Sequence, residues 1–419
     1  MDIDKQILDI AIAARQASHV LSSLSTSLKN QVLSGIADAL SDKREFLRKE
    51  NEKDVGSAEE KGLSAALIDR LRLSEKVIDT MVEGVREVVQ LSDPVGDTIK
   101  MWKRPNGLLV GKVRIPLGVI GIIYESRPNV TVDAASLCLK SGNAVILRGG
   151  KEAFHSNQAL TSIMQEVAKK NGIPETAIQL IPVVEREAVY KMLTLEDYID
   201  VIIPRGGEEL IRAVVDHSKI PVIKHYKGVC HVFVDAGADE EMAESIVVNA
   251  KVQRPGVCNA LETLLIHEAI ASHFLPRIVE RLKGEGVEVR GCKRCKKLIP
   301  DLKEATEEDW YEEYLDLILS VRIVPTIEDA IEHIAHYGSM HTDVIVTSDH
   351  RNSQLFLQKV NSSVVLHNAS TRFNDGNQLG LGAEIGISTT KLHAFGPMGL
   401  QELTTSKFVV YGKGQIREG

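Results

Sequence analysis

The sequence predicts an α/β fold made of two doubly wound parallel-sheet domains and a small β-hairpin element. Three observations support this prediction. Short apolar runs alternate with helical segments after residue 117, the alternation restarts after Gly228, and Pro105-Asn106-Gly107 marks a hairpin turn. Apolar strands separated by helices are typical of parallel sheets that helices cover on both faces. The 419 residues exceed one ordinary hydrophobic core, so two or three domains are expected.

The first 97 residues are predicted to be helical. Apolar residues recur three and four positions apart from residue 3 to residue 14, and similar stripes continue to about Val89. Residues 98–116 then predict two β runs around the Pro105-Asn106-Gly107 turn.

The runs that follow predict the strands of the two sheets. The first set covers residues 118–124, 144–149, 178–183, 200–207 and 221–226. The second set reads CHVFVD, LETLLIH, LILSVRIV, DVIVTS and SVVLHN, with helical segments between them. A last β run, TTSKFVVYGKGQ, is a candidate partner for the residue 98–116 hairpin. Projecting strands of this kind often join subunits by extending a sheet.

Composition narrows the class of protein. The chain is 43% hydrophobic and 26% charged with a net charge of −8, a balance that does not attract nucleic acid or an anionic membrane surface. The first residues carry acids where a signal peptide needs an apolar core. No run approaches the ~18 apolar residues of a membrane span. A cytoplasmic protein is expected.

Five cysteines, an odd number spread thinly, predict reduced thiols rather than a disulfide framework. Cys292 and Cys295 form a CxxC, but no second cysteine or histidine pair stands at metal-finger spacing, so no metal is predicted. Cys138 and Cys230 lie in apolar runs and are expected in the core.

Cys258 stands apart in the stretch VQRPGVCNALE. It follows a Pro-Gly turn and precedes residues that read as the first turn of a helix. Backbone N–H groups and the helix dipole at such a position stabilise a thiolate, which makes Cys258 a candidate nucleophile. The alternative is a small buried residue after a turn.

Several longer motifs resemble one superfamily. VQRPGVCNA, GNAVILRGGKEAFHSN, VIIPRGGEEL and SRPNVTVDAA resemble the aldehyde dehydrogenase superfamily in order and spacing. VPTIEDAIEHIAHYGSMHTDVI and HNASTRFNDGNQLGLGAEIGIST are similar to the gamma-glutamyl phosphate reductases of proline biosynthesis. The resemblance covers essentially the whole chain. It implies an NADP-binding domain (residues 1–97 and 117–228), a catalytic domain (229–400) and an oligomerisation flap (98–116 and 401–414).

The resemblance also implies a reaction. The Cys258 thiolate would displace phosphate from L-glutamyl 5-phosphate to leave a thioester, which NADPH would reduce to L-glutamate 5-semialdehyde. The side-chain amide of Asn129 and the backbone N–H of Cys258 would form the oxyanion hole. Asn129 follows Pro128, so a helix N-cap is the alternative role. Rival activities are a CoA-acylating or other aldehyde dehydrogenase and an inert scaffold that binds a nucleotide or a partner.

Cofactor residues follow from the same resemblance. Many relatives carry an acid that holds the ribose hydroxyls of NAD, where this chain has Arg148, Gly149, Gly150 and Lys151. A cation there pairs with a 2′-phosphate and favours NADP, although a plain surface lysine is the alternative. Gly206 and Gly207 would approach the cofactor phosphates or the nicotinamide side. Glu313 matches the acid that holds the nicotinamide ribose, although Glu312 is adjacent and Asp316 is near.

One departure concerns water. Hydrolytic relatives carry a glutamate that activates water, and this chain has His225-Tyr226-Lys227-Gly228 there. Loss of that base slows hydrolysis of the thioester, although His225 is itself able to act as a general base.

The remaining implied residues would hold the substrate. Arg127, His341 and Arg372 are expected to supply positive charge for the phosphorylated substrate, and Asn368, Ser370 and Thr371 to bind its amino-acid end. A homodimer or homotetramer is expected, with functional coupling to glutamate 5-kinase and no nucleic-acid or membrane partner.

Overall fold

A computed structural model of the chain describes residues 2–417, except the side chain of Ala66. These residues form two compact units. The first comprises the described parts of Met1–Lys224, Leu381–Gly386 and Met398–Gly419, and the second comprises His225–Gly380 and Ile387–Pro397. The predicted α/β fold class is confirmed. The assignment of cofactor binding and catalysis to particular domains stays a prediction.

The first unit begins with the predicted helical segment. Serine side chains cap three of its helices: Ser25, Ser64 and Ser74 each accept from a backbone N–H three residues on. Apolar stripes then bury one face of each long helix. The helices are α1 (Ile3–Leu21), α2 (Thr26–Asp42), α3 (Arg44–Glu60), α4 (Ala65–Leu71) and α5 (Glu75–Gln90).

The parallel sheet of this unit follows the predicted hairpin. Its elements are β1 (Thr98–Lys103), β2 (Leu109–Pro116), β3 (Val119–Tyr124), α6 (Asn129–Lys140), β4 (Ala144–Arg148), α7 (Phe154–Lys170), β5 (Ile178–Leu180), α8 (Arg186–Met192), β6 (Val201–Arg205) and α9 (Glu208–His217). The strand order is β5-β4-β3-β6, all parallel. Every residue of β3 is buried, which explains its uninterrupted apolar run.

One predicted strand of this sheet is wrong. Residues 221–226 form a single isolated bridge, between Val222 and Ile202, instead of a strand. Pro221 has no backbone N–H to donate at the start of the segment, and Pro204, two residues after Ile202 on β6, has none to donate beyond Ile223, so the pairing stays confined to one bridge.

The second unit is built on a parallel sheet with the order β10-β9-β11-β8-β7-β12-β13. In chain order its elements are β7 (Cys230–Val234), α10 (Glu240–Val252), β8 (Leu261–His267), α11 (Glu268–Gly284), β9 (Glu288–Gly291), α12 (Lys293–Leu298), β10 (Lys303–Glu304), β11 (Ile318–Val324), α13 (Ile327–Tyr337), β12 (Thr342–Val346), α14 (His350–Lys359), β13 (Val364–His367), and the short antiparallel pair β14 (Ile387–Ser388) and β15 (Gly396–Pro397). Strands β8 and β7 lie in its interior with β12 beside β7.

The last strand of the first unit is β16 (Thr404–Tyr411). It pairs antiparallel with β2 over its whole length and completes a β1-β2-β16 sheet. The candidate pairing is confirmed. Apolar side chains on this flap face solvent, and Phe408 is 65% exposed. Among the described residues, no helix is both long and apolar enough to cross a membrane.

Candidate active site

Cys258 lies in the loop that joins α10 to β8, with a half-buried side chain. The prediction of a helix directly after it is wrong, because Leu261 starts a strand paired with both β7 and β11. Residues 261–266 are buried on both sheet faces, and their backbone groups bond to the two neighbouring strands instead of within a helix. The helix-dipole argument for thiolate formation therefore does not apply at Cys258.

The backbone of Cys258 is held by two neighbours. The Cys230 thiol donates to the Cys258 carbonyl oxygen at 3.2 Å. Gly228 packs so tightly that an added Cβ would lie only 1.8 Å from that oxygen. Glycine at position 228 thus allows the loop before β7 to contact the loop before β8.

Two histidines complete a cluster around the sulfur. His225, Cys258 and His341 each offer one ligand atom, and these atoms lie within 4.8 Å of one another. The cause is topological. The three residues precede β7, β8 and β12, and parallel neighbouring strands begin at the same edge of a sheet.

His225 is oriented by a backbone carbonyl. Its Nδ1 lies 2.7 Å from the carbonyl oxygen of Ile387, so Nδ1 carries the proton and donates. The other ring nitrogen then has the lone pair in the neutral ring. His225, the residue in the stretch where hydrolytic relatives are expected to have a glutamate, thus lies within 4.8 Å of the Cys258 sulfur with a nitrogen that is able to accept a proton.

His341 does not play its predicted cationic role. It is fully buried, and burial, with His225 nearby, lowers the pKa of His341 to about 3. Its Nδ1 lies 2.7 Å from the Thr342 hydroxyl, and its buried Nε2 has no hydrogen-bond partner among residues 2–417. His341 is neutral at physiological pH.

Arg372 does reach the surroundings of the sulfur. Its Nε donates to the Gln253 side chain at 2.8 Å. Burial and nearby Arg254 lower the pKa of Arg372, while Cys258 and Asp375 raise it, which places all of these groups within electrostatic range. Sequence reasoning missed Arg254, although it belongs to the same VQRPGVCNA motif.

The structure separates Asn368 from the cluster. Its side-chain amide bonds to the backbone N–H and carbonyl of Thr347, both at 3.0 Å, at the far end of β12 from His341. A strand of that length spans about 16 Å. The predicted substrate contact by Asn368 is therefore not supported by its position. Ser370 is buried and accepts from the Arg372 N–H at 3.3 Å, so it shapes the turn that carries Arg372.

Buried amides behind the loop were also missed by sequence reasoning. Asn259 donates to the Asn374 carbonyl at 2.9 Å, and Asn374 donates to the Thr342 hydroxyl at 2.7 Å. The chain of contacts links the residue after the nucleophile to the residue after His341. The sequence showed two asparagines without any sign that they meet.

Glu313 lies half-buried in the segment before β11. It contributes to raising the pKa of Glu262, for which burial is the first cause. Glu262 itself forms a fully buried ion pair with Lys251 at 2.7 Å. Glu313 is thus placed near the start of β8, and its predicted contact with a ribose stays a prediction.

The first unit holds a separate cavity of 660 Å³. It opens at the carboxyl ends of β3 and β4, where open parallel sheets bind nucleotides. Its lining includes Glu125, Arg148, Lys151, Arg186 and Tyr190. Sequence reasoning missed Arg186 and Tyr190, which come from α8.

The cationic residues of this cavity differ in burial. Arg148 is half-buried and donates to the carbonyls of Gly149 and Val184, both at 2.9 Å. Burial lowers its pKa, and its Nε has no partner within the described part of the chain. Lys151 is exposed at the rim. Gly149 is packed against Asn157, which leaves no room for a side chain.

The Gly206-Gly207 turn already holds an anionic side chain. The Gly207 N–H donates to the Glu125 carboxylate at 2.9 Å, and a Cβ on Gly206 would lie 2.5 Å from the same carboxylate. This contact follows β3 and β6, whose carboxyl ends are adjacent. Glu125 was not predicted, and the phosphate contact of Gly206 and Gly207 stays a prediction.

Asn129 is the first residue of α6, and its N-cap is Pro128. The alternative N-cap role is therefore wrong for Asn129. Its Nδ2 donates to Asp133 at 3.0 Å, and burial raises the pKa of Asp133 to about 6. That bond fixes the amide and uses one of its two N–H groups. Arg127 lies two residues before Asn129, and its side chain is exposed. The residue before it, Ser126, has a φ of 41°.

Comparisons with known proteins identify relatives over the whole chain. A model of the aldehyde dehydrogenase family matches residues 3–289. A gamma-glutamyl phosphate reductase of Geotalea daltonii is 62% identical over 418 residues, covering 100% of both chains. The crystal structure of a Thermotoga maritima gamma-glutamyl phosphate reductase is 47% identical with a TM-score of 0.97, covering 98% of this chain and 100% of that one. The Saccharomyces cerevisiae enzyme is 31% identical with a TM-score of 0.55, covering 98% of both chains.

Gly228→Ala tests the packing of the nucleophile loop. The new methyl group would overlap the Cys258 carbonyl, so the loop must shift. We expect the free energy of unfolding to fall by about 1–3 kcal/mol, measured by urea denaturation.

Gly237→Ala is the matched control, because its nearest atom beyond the chain neighbours would be 3.9 Å away. We expect it to change the free energy of unfolding by less than about 0.5 kcal/mol. Equal losses in the two variants would show that the contact between Gly228 and Cys258 is not tight.

Proposed function

This chain belongs to the aldehyde dehydrogenase family, and on that premise we propose that it reduces L-glutamyl 5-phosphate to L-glutamate 5-semialdehyde with release of phosphate. The observation that supports this most directly is its 62% identity, over the full length of both chains, to a gamma-glutamyl phosphate reductase. The reaction fits proline biosynthesis. A CoA-acylating activity is not favoured, since the full-length relatives at 62% and 47% identity reported above both carry the reductase name.

The proposed reaction starts at Cys258. Its thiol loses a proton to the lone-pair nitrogen of His225, whose other nitrogen is held by Ile387. The sulfur attacks the acyl carbon, the C–O bond to phosphate breaks, and a thioester forms. When bound, NADPH supplies the hydride that reduces this acyl carbon. The C–S bond of the resulting thiohemiacetal then breaks, which releases the aldehyde and regenerates the Cys258 thiolate.

Both carbonyl additions place negative charge on oxygen. We propose that the Asn129 amide and the Cys258 backbone N–H donate to that oxygen. Asp133 would keep the Asn129 amide oriented by its 3.0 Å bond. Loss of one oxyanion donor typically costs about 10²–10³ in rate.

We propose that the cavity of the first unit binds a dinucleotide with a 2′-phosphate. Arg148, Lys151 and Arg186 supply three cations around it, and Tyr190 supplies an aromatic surface. The Nε of Arg148, which has no hydrogen-bond partner among residues 2–417, is a donor that a ligand oxygen would satisfy. We therefore propose NADP as the cofactor, with Lys151 and Arg186 nearest to the 2′-phosphate and Gly149, Gly206, Gly207 and Glu313 as the other cofactor contacts.

Positive charge near the sulfur is proposed to hold the substrate phosphate. Arg372 and Arg254 are within electrostatic range of each other, and Arg127 is the third candidate. His341, being neutral, would donate or accept a hydrogen bond rather than pair with phosphate.

The flap is the proposed contact between subunits. Phe408 is 65% exposed and Tyr411 is 59% exposed on β16, which is an edge of its sheet. An edge of this kind pairs readily with another chain. We propose a homodimer or homotetramer in the cytoplasm, functionally coupled to the kinase that makes the acyl phosphate.

The reverse reaction tests the activity. With L-glutamate 5-semialdehyde, phosphate and NADP⁺, we expect reduction of NADP⁺ at 340 nm that requires phosphate and is abolished in Cys258→Ala. The thioester needs the sulfur, and phosphate is the group that releases the acyl product.

The control replaces phosphate with CoA. Reduction of NADP⁺ with CoA and without phosphate would identify a CoA-acylating enzyme instead. Full activity in Cys258→Ala would contradict both cysteine mechanisms, whereas no reduction of NADP⁺ by the unchanged protein with either phosphate or CoA would support the inert scaffold.

Lys151→Glu tests the cofactor preference. We expect KM for NADP⁺ to rise by about tenfold to a hundredfold while KM for NAD⁺ changes little, because a carboxylate repels the 2′-phosphate. Steady-state kinetics with both cofactors measure the ratio. Lys169→Glu, an exposed position on α7 that is paired with Glu175, should leave both KM values unchanged. An unchanged ratio in Lys151→Glu would contradict the proposed contact.

Phe408→Asp tests the flap as the subunit contact. We expect this charge on an apolar edge to shift the protein to a monomer, measured by size-exclusion chromatography with light scattering. Lys413→Asp, just beyond the strand, should keep the native mass. A monomeric native protein, or an unchanged mass in Phe408→Asp, would contradict the proposal.

A further inference from the structure

The cluster at the amino ends of β7, β8 and β12 has the composition of a metal site. Cys258 offers a sulfur, and His225 and His341 offer one imidazole nitrogen each, with the three ligand atoms within 4.8 Å of one another. In a tetrahedral zinc site such atoms lie about 3.5 Å apart. Side-chain movements of about 1 Å would close the difference.

A second, independent observation is the unmet hydrogen bond of His341. Its Nε2 is buried and no described residue accepts or donates a hydrogen bond there. Buried polar atoms without partners are rare and call for a ligand, a water or an ion. The Nε2 atom of His341 thus has either a lone pair without a donor or an N–H without an acceptor among residues 2–417.

The surroundings of both rings are those of metal ligands. A histidine that binds a metal usually bonds through its other nitrogen to a carbonyl, a carboxylate or another fixed group. His225 Nδ1 donates to the Ile387 carbonyl at 2.7 Å, and His341 Nδ1 lies 2.7 Å from the Thr342 hydroxyl. Asn374 donates to that hydroxyl at 2.7 Å, so a third residue fixes it.

We propose that Cys258, His225 and His341 bind a thiophilic divalent cation, with Zn²⁺ as the best fit, and that this ion reversibly blocks the nucleophile. One thiolate and two imidazoles favour zinc or copper over magnesium and calcium, which prefer oxygen ligands. On binding, the thiol loses its proton and the sulfur–metal bond forms, with no change in oxidation state. The fourth position stays open to water or an anion.

The charge of Arg372 opposes the ion, because the guanidinium is within electrostatic range of Cys258. Binding should therefore be reversible by a chelator rather than permanent. The block of activity rests on the proposed function, since it requires Cys258 to be the nucleophile. Binding itself does not depend on that function.

Cobalt(II) is the probe for the site, because a cobalt–thiolate bond gives a charge-transfer absorption band. We expect the full-length protein to bind one Co²⁺ with this band, and Zn²⁺ to displace it. Cys258→Ser should remove the band. His341→Gln and His225→Asn should each weaken binding by at least about tenfold, the lower end of what loss of a supporting group costs.

The rival thiols provide the matched control. Cys292 and Cys295 lie with their sulfurs 3.6 Å apart, so this pair of thiols is a second place where a thiolate-binding ion would go. The double variant Cys292→Ser/Cys295→Ser should keep the band. A band that survives Cys258→Ser, a band lost in the double variant, or no Co²⁺ binding at all would overturn the proposal.

Alkylation separates this proposal from the proposed activity. We expect Zn²⁺ to protect Cys258 from iodoacetamide, detected by peptide mass mapping, and EDTA to remove the protection. Circular dichroism identifies any variant that fails to fold. If His341→Gln does not fold, Cys258→Ser and His225→Asn still test the site. Protection in a protein that lacks reductase activity would refute the function and keep the site, while unprotected Cys258 in an active reductase would do the reverse.

Discussion

The site depends on a single constraint, which is that neighbouring parallel strands start at the same edge of a sheet. β8 lies beside β7, and β7 lies beside β12, so the loops that precede them meet. The sulfur of Cys258 and the two imidazoles come from these loops and not from one continuous segment. The tight contact between Gly228 and the Cys258 carbonyl sets how closely the first two loops approach. A larger residue at position 228 would separate groups that are distant in sequence.

The two units use opposite edges of their sheets. In the first, Glu125 and Gly206 directly follow strands and Arg148 ends β4, at the carboxyl edge where nucleotides bind open parallel sheets. In the second, the cluster precedes its strands. Asn368 follows β13 and bonds to Thr347, which follows β12, so it belongs to the other edge. The amino edge thus carries the sulfur.

The fold class was predictable because buried parallel strands leave uninterrupted apolar runs, as in β3. The position of Cys258 after a turn was also predictable. The helix predicted to follow it was wrong, because a short apolar run alone does not distinguish a strand from the first turn of a helix. His341 shows a second limit. A sequence shows an ionisable residue without its burial, and burial decides its charge. Glu125 shows a third, because its contact with Gly207 joins residues 82 positions apart.

The pairing of β16 with β2 joins distant parts of the chain: Arg114 and Thr404, joined at 2.9 Å, are 290 residues apart. At ribosomal rates of synthesis, roughly 15 to 60 s pass between the emergence of the two strands. Throughout that interval β2 has one unpaired edge, and such edges are where nascent chains associate wrongly. The interval of greatest risk during biosynthesis is therefore fixed by topology, and a slower ribosome lengthens it.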